Sequence, residues 1–155
     1  MATGQNNQLT RQIGEHLVTA ELGRRGIIAS PFAGNVPNID ILAYKDGKAI
    51  LIQVKAINKD SWQFDIRKFL KIEIKGDRQT VEGPNPDFDK NLLCIYVKIN
   101  EYGTDEFYIF KQSILFEYFA AYEGRCKPRN IKSFHCAIWK KDLIEYRGNW
   151  NLVME

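Results

Sequence analysis

The sequence predicts an α/β domain, a central sheet of four to five strands with helices packed against it, and three observations predict it. Apolar residues recur at a helical period between about Thr10 and Arg25. Two apolar runs then flank Asp46-Gly47, a hairpin signal because both central positions of a type I′ turn need positive φ. Further on, Asn91 to Ile99 and Glu106 to Lys111 read as strands, and Ser113 to Tyr122 reads as a helix. At 155 residues the chain is expected to form one domain, 1–155.

Met1 to Gln8 is polar and reads as a flexible leader, with Thr10 placed to cap the helix that follows. Leu9, Ile13, Leu17 and Ala20 form the helix's apolar stripe, widened by Val18 and Leu22. Gly26 ends it as a C′ residue after Arg24 and Arg25. Glu15 falls at the margin of the apolar arc, and Arg11, one turn earlier, is its i,i+4 neighbour. Ile27 to Ala33 reads as the first strand, and Gly34-Asn35-Val36-Pro37 turns the chain into a hairpin over Pro37 to Lys55. Trp62 and Phe64 alternate with polar residues, which suits either core side chains or a platform for a nucleobase. Asp65 to Lys71 reads as a short helix and Gly76 to Lys90 as a loop. Arg125 to Ser133 is a basic loop and Phe134 to Trp139 a short apolar run. Asp142 to Tyr146 is a turn of helix, and Trp150, Leu152 and Val153 close the chain as an apolar plug.

The hairpin carries the chemistry. With Asp46 and Gly47 as a two-residue loop, Lys45 pairs with Lys48, Leu42 faces Leu51, Asp40 faces Gln53 and Asn38 faces Lys55. Period-two alternation then puts Asp40, Leu42, Leu51, Gln53 and Lys55 on one face. Ile39, Ile41, Ile50, Ile52 and Val54 make the other face purely aliphatic. A carboxylate, an amide and an ammonium thus gather at one end of the strand pair, where they need each other, water or a metal.

Composition bounds the rest. The chain is 45% hydrophobic and 26% charged, outside the range of disordered segments, and its net charge of +3 permits a polyanionic partner without demanding one. Cys94, Cys126 and Cys136 are odd in number and form no CxxC pair, so neither a disulfide framework nor a structural zinc site is expected. The N-terminal residues lack the apolar stretch of a signal peptide, and no run approaches the ~18 apolar residues of a membrane span. A cytoplasmic location and no membrane partner are therefore expected. His16 and His135 stand alone and read as structural.

Glu15 on the helix, Pro37-Asn38-Ile39-Asp40 on the first hairpin strand and Gln53-Val54-Lys55 on the second together resemble the PD-(D/E)XK nuclease superfamily. The resemblance spans about Gly14 to Ala56, with Gln53-x-Lys55 in place of the usual Asp/Glu-x-Lys. It implies a restriction endonuclease-like core with a mixed sheet. It implies a metal-dependent endonuclease that hydrolyses DNA phosphodiesters in restriction, repair or recombination. The implied cofactor is Mg²⁺, with Mn²⁺ able to substitute. Asp40 would be its principal ligand, joined by the Gln53 side-chain oxygen, the Val54 carbonyl and Glu15 directly or through water. Lys55 would position the attacking water and stabilise developing charge. Because two strands need two sites, a homodimer is also implied. The alternative is a catalytically inactive nucleic-acid-binding module of the same fold.

Candidate DNA contacts are Lys59, Trp62, Arg67, Lys68, Lys127 and Arg129. Between Lys111 and Arg147 eight basic residues face four acidic ones, so this half is locally positive enough to track phosphates.

Overall fold

The computed structural model describes residues 3–34, 36–123 and 132–155. In chain order its helices and strands are α1 (Thr3–Arg24), β1 (Ile28–Pro31), β2 (Ile41–Lys45), β3 (Lys48–Ile57), β4 (Ser61–Asp65), β5 (Leu70–Lys75) and β6 (Arg78–Pro84). There follow β7 (Leu93–Lys98), β8 (Glu106–Lys111), α2 (Ser113–Glu123), β9 (His135–Trp139) and α3 (Asn151–Met154), with 3₁₀ turns over Ile66–Lys68 and Lys140–Tyr146. The chain divides into two compact units. The first comprises Met1–Trp62, Leu92–Phe110 and Trp139–Glu155, the second Gln63–Asn91 and Lys111–Ile138.

The first unit is the expected α/β arrangement around a five-stranded mixed sheet, ordered β1-β2-β3-β7-β8. β1, β2 and β3 run antiparallel in succession, and β3 pairs parallel with β7. The β2–β3 register is the one that the Asp46-Gly47 turn dictates, from Lys45 opposite Lys48 to Ile41 opposite Ile52. Both turn residues have positive φ, 50° and 81°.

α1 lies on the aliphatic face. Val18 and Leu22 join Ile41, Ala43, Ile52, Val54, Leu93, Ile95, Val97, Ile109 and Val153 in one buried cluster. The helix end is a Schellman cap: Gly26 adopts φ +74°, its N–H donates to the Gly23 carbonyl, and the Ile27 N–H donates to the Leu22 carbonyl. The other sheet face is covered by aromatic residues. Trp62 packs on Tyr96 and Tyr108, and Tyr96 packs edge-on against Phe110.

Three expectations for α1 are corrected. The helix starts at Thr3, so Thr3 to Gln8 is not a loose leader; Met1 and Ala2 lie outside the described residues. Thr10 caps nothing and instead bonds back to the Asn6 carbonyl, an i−4 contact made inside helices. The buried stripe is also rotated from the expected one. Leu9, Ile13 and Ala20 are exposed, whereas Gly14, Val18 and Leu22 are buried at i, i+4 and i+8. Gly14 decides this, because its missing side chain lets the helix backbone close down on Ala56 and Val54 of β3.

In the second unit β5 and β6 form an antiparallel hairpin, so Gly76 to Lys90 is not all loop. The two-residue connection Gly76-Asp77 has Gly76 at φ +65°, and a bulge shifts the register after Lys71. The predicted helix over Asp65 to Lys71 is only the 3₁₀ turn Ile66–Lys68, in which the Arg67 N–H donates to the Asp65 carboxylate. α2 forms as expected and buries Leu115 and Phe119, with Phe119 stacked on Phe69. β4 and β9 pair as a separate two-stranded sheet. The basic loop's residues 124–131, Cys126 among them, and Asn35 of the first turn lie outside the described residues. Cys94 and Cys136 are buried, and among the described residues neither is in a disulfide.

Candidate functional site

The site forms where β2 begins. The β2–β3 ladder runs only to Ile41 opposite Ile52, because Asn38 adopts φ +62° and turns the chain away from an extended path. The Asp40 N–H donates to the Ile52 carbonyl at 2.9 Å. The next free N–H on β3, that of Val54, donates to the Asp40 carboxylate at 2.8 Å. The Asp40 side chain thus replaces the strand that is missing at this edge. The expected ladder pairings of Asp40 with Gln53 and Asn38 with Lys55 are not part of the strand register.

The second Asp40 oxygen faces α1. Arg11 Nη2 donates to Asp40 Oδ1 at 2.9 Å, and Arg11 Nε donates to Glu15 Oε1 at 2.9 Å. One guanidinium therefore spans two carboxylates that lie 25 positions apart in sequence. Both carboxylate side chains are largely covered, 14% exposed for Glu15 and 10% for Asp40, whereas Arg11 is 53% exposed. The hydrogen bond to Glu15 raises the Arg11 pKa above the ordinary arginine value, and the Asp40 charge adds to it, against partial burial. Gly14 sets this geometry, since its close approach to Ala56 brings its neighbour Glu15 down to the sheet.

An open cleft of about 230 Å³ surrounds the pair, lined by Gln8, Arg11, Gln12, Glu15, Phe32, Gly34, Ile39 and Asp40. At ~30 Å³ per water molecule, it has room for an ion with several waters. Gln8, Arg11, Gln12 and Glu15 follow i, i+3, i+4, i+7 spacing, one polar face of α1. That stripe is legible in the sequence beside the apolar one, yet only Glu15 of it was a predicted site residue. Among the described residues no group of three or more His, Cys, Asp or Glu converges. A cage of protein ligands for zinc does not fit this donor set. Two carboxylate oxygens in an open polar cleft do fit Mg²⁺, which commonly takes one or two carboxylates and keeps several waters.

Gln53 and Lys55 flank Val54 on β3 and are half-buried, but they are not among the residues lining the cleft. The Lys55 carbonyl accepts the Trp62 indole N–H at 3.1 Å. Trp62 is corrected from a base platform to a core residue: it is 1% exposed, with no free ring face. Lys59 is exposed after β3. Lys68 and Arg67 are exposed in the second unit, where Arg67 is engaged by Asp65 at 2.9 Å and lies over the Phe134 ring at 4.2 Å. Lys127 and Arg129 lie outside the described residues.

No family model and no curated protein matches the sequence. Among solved structures, the chain is similar to the bacterial homing endonuclease I-Ssp6803I, with a TM-score of 0.53 and 13% sequence identity. The match covers 99% of this chain and 94% of that one, so the likeness is one of fold across nearly the whole length of both.

Proposed function

We propose that this chain is a metal-dependent DNA endonuclease of PD-(D/E)XK type, with Asp40 and Glu15 as its principal metal-holding groups. The observation that carries the reading is the meeting of these two carboxylates at the open end of β2, in a fold similar to that of a homing endonuclease. Gln53 and Lys55 join the reading through the sequence motif, as the strand neighbours of Val54, whose N–H donates to Asp40. In an extended strand a residue's carbonyl shares the side of its N–H, so the Val54 carbonyl also faces Asp40.

A bound Mg²⁺ supplies an acidified water and neutralises charge on the phosphoryl group. Asp40 and Glu15 offer it charged oxygens, and Gln53 and Val54 neutral ones. The Lys55 ammonium orients the attacking water and stabilises negative charge as it builds on the phosphoryl oxygens. Gln53 gives the site one negative charge fewer than the usual motif, which makes Glu15 the compensating group. The same deficit favours the second reading, an inactive DNA-binding module.

Cleavage of plasmid DNA in Mg²⁺ or Mn²⁺ tests the assignment. The expected result is nicking that Asp40→Asn and Lys55→Ala each reduce by roughly 100-fold or more. Cleavage at full rate in both variants would place the activity elsewhere. DNA binding without cleavage would select the inactive module.

A further inference from the structure

The Arg11 guanidinium sits where an ion shared by Asp40 and Glu15 would sit. Its Nε holds Glu15 Oε1 and its Nη2 holds Asp40 Oδ1, one oxygen of each carboxylate. The pair and a divalent cation compete for the same atoms. They also compete through charge, since a guanidinium left in contact would stand against a doubly positive ion at close range.

The three side chains differ in freedom. Asp40 is tied to the Val54 N–H, and both carboxylates are largely covered. Arg11 is the exposed member, on a long flexible stem, and the cleft around it is open to solvent. Gln8 lines the same cleft one helical turn earlier, and its side-chain oxygen is within reach of a displaced arginine at i+3.

We propose that Arg11 is a latch: it holds Asp40 and Glu15 together in the metal-free protein and is expelled when a divalent cation enters. This rests on the reading of Asp40 and Glu15 as the metal-holding pair. The latch keeps two largely covered like charges from repelling one another before metal arrives, and it keeps their geometry ready. Its cost is a weaker apparent metal affinity, because each binding event must first break two charge-assisted hydrogen bonds.

Mn²⁺ binding to the full chain, followed by calorimetry and by the paramagnetic signal of free Mn²⁺, tests the latch. Arg11→Gln is expected to bind Mn²⁺ about tenfold more tightly than the wild type, with Arg11→Lys between them. Asp40→Asn should abolish binding in each background. In the unaltered protein, the Arg11 Nε–H resonance should shift and exchange faster with water on saturation with Mg²⁺. That second measurement does not depend on any variant folding. Equal or weaker Mn²⁺ affinity in folded Arg11→Gln, or an Arg11 resonance unmoved in Mg²⁺-saturated protein, overturns the latch while the metal site stands. Absence of any Asp40-dependent Mn²⁺ binding in both wild type and Arg11→Gln overturns the metal site and the latch with it.

Discussion

Asp40 divides its carboxylate between a backbone N–H and a guanidinium, and the two contacts have separable consequences. Asp40→Ala leaves the Val54 N–H without its acceptor and Arg11 with Glu15 as its one remaining carboxylate partner. It should destabilise the fold by about 2 kcal/mol in chemical denaturation. Asp40→Asn retains an acceptor for Val54 and should cost distinctly less, so a loss of cleavage in that variant reports chemistry rather than unfolding. Two other side chains make stability sensitive to alkaline pH. Burial pushes the Cys136 thiol up from 9.0 to about 12, with the Asp65 charge adding to it. Burial likewise raises the Tyr108 hydroxyl from 10.0 to about 12, reinforced by Glu106. Between pH 9 and 12 the unfolded chain therefore holds fewer protons than the folded one, and stability falls as pH rises. Thermal midpoints measured across that window should decline steadily. Below it, at pH 8, Cys136 should react with a thiol reagent only slowly.

At the scale of elements, the contact between α1 and β3 sets the site. A methyl group on Gly14 would collide with the Ala56 side chain, so the helix can hold its present distance only with glycine there. Gly14→Ala gains up to about 1 kcal/mol of helix propensity but faces an overpacking cost of about 1–3 kcal/mol. We expect a net loss of stability and a larger loss of Mn²⁺ affinity, because Glu15 and Arg11 move with the helix. Ala56→Gly should restore part of both, and a double-mutant cycle should show coupling above about 1 kcal/mol. Independent effects of the two substitutions would mean that the helix adjusts by another route. The β2–β3 hairpin is the opposite case, an element whose geometry is local. Its turn residues, its period-two alternation and its register all agree, so the sequence is sufficient to place Leu42 opposite Leu51.

At the scale of the molecule, charge is the observable that separates a nucleic-acid partner from none. The net charge is +3, too small to signal DNA binding by itself. If phosphates are the partner, affinity for a DNA duplex should fall steeply with salt, with a log–log slope of roughly −0.9 for each phosphate contacted. Lys59→Ala and Lys68→Ala should each flatten that slope by roughly one contact if those side chains touch the backbone. No measurable affinity at low salt would remove DNA as the partner. Among the described residues no helix is long and apolar enough to cross a membrane.

Residues close in sequence were legible because a few covalent links fix their relations. A type I′ turn sets a register, and a glycine in the left-handed region ends a helix; both follow from backbone sterics. For the β5–β6 hairpin two sequence signals compete: Gly76-Asp77 and the alternation of Ile72 and Ile74 with charged neighbours point to it. The Pro- and Gly-rich stretch that follows reads as loop when taken alone. The helix face departs from the apolar stripe because the most apolar stripe is not the one that approaches closest, and a glycine chooses the contact by what it lacks. Trp62 became core because Tyr96 and Tyr108, distant in sequence, close around it. The bridge from Arg11 to Asp40 joins residues 29 positions apart. No local rule connects them, and only the packing of α1 across the end of β2 lets one guanidinium hold both carboxylates.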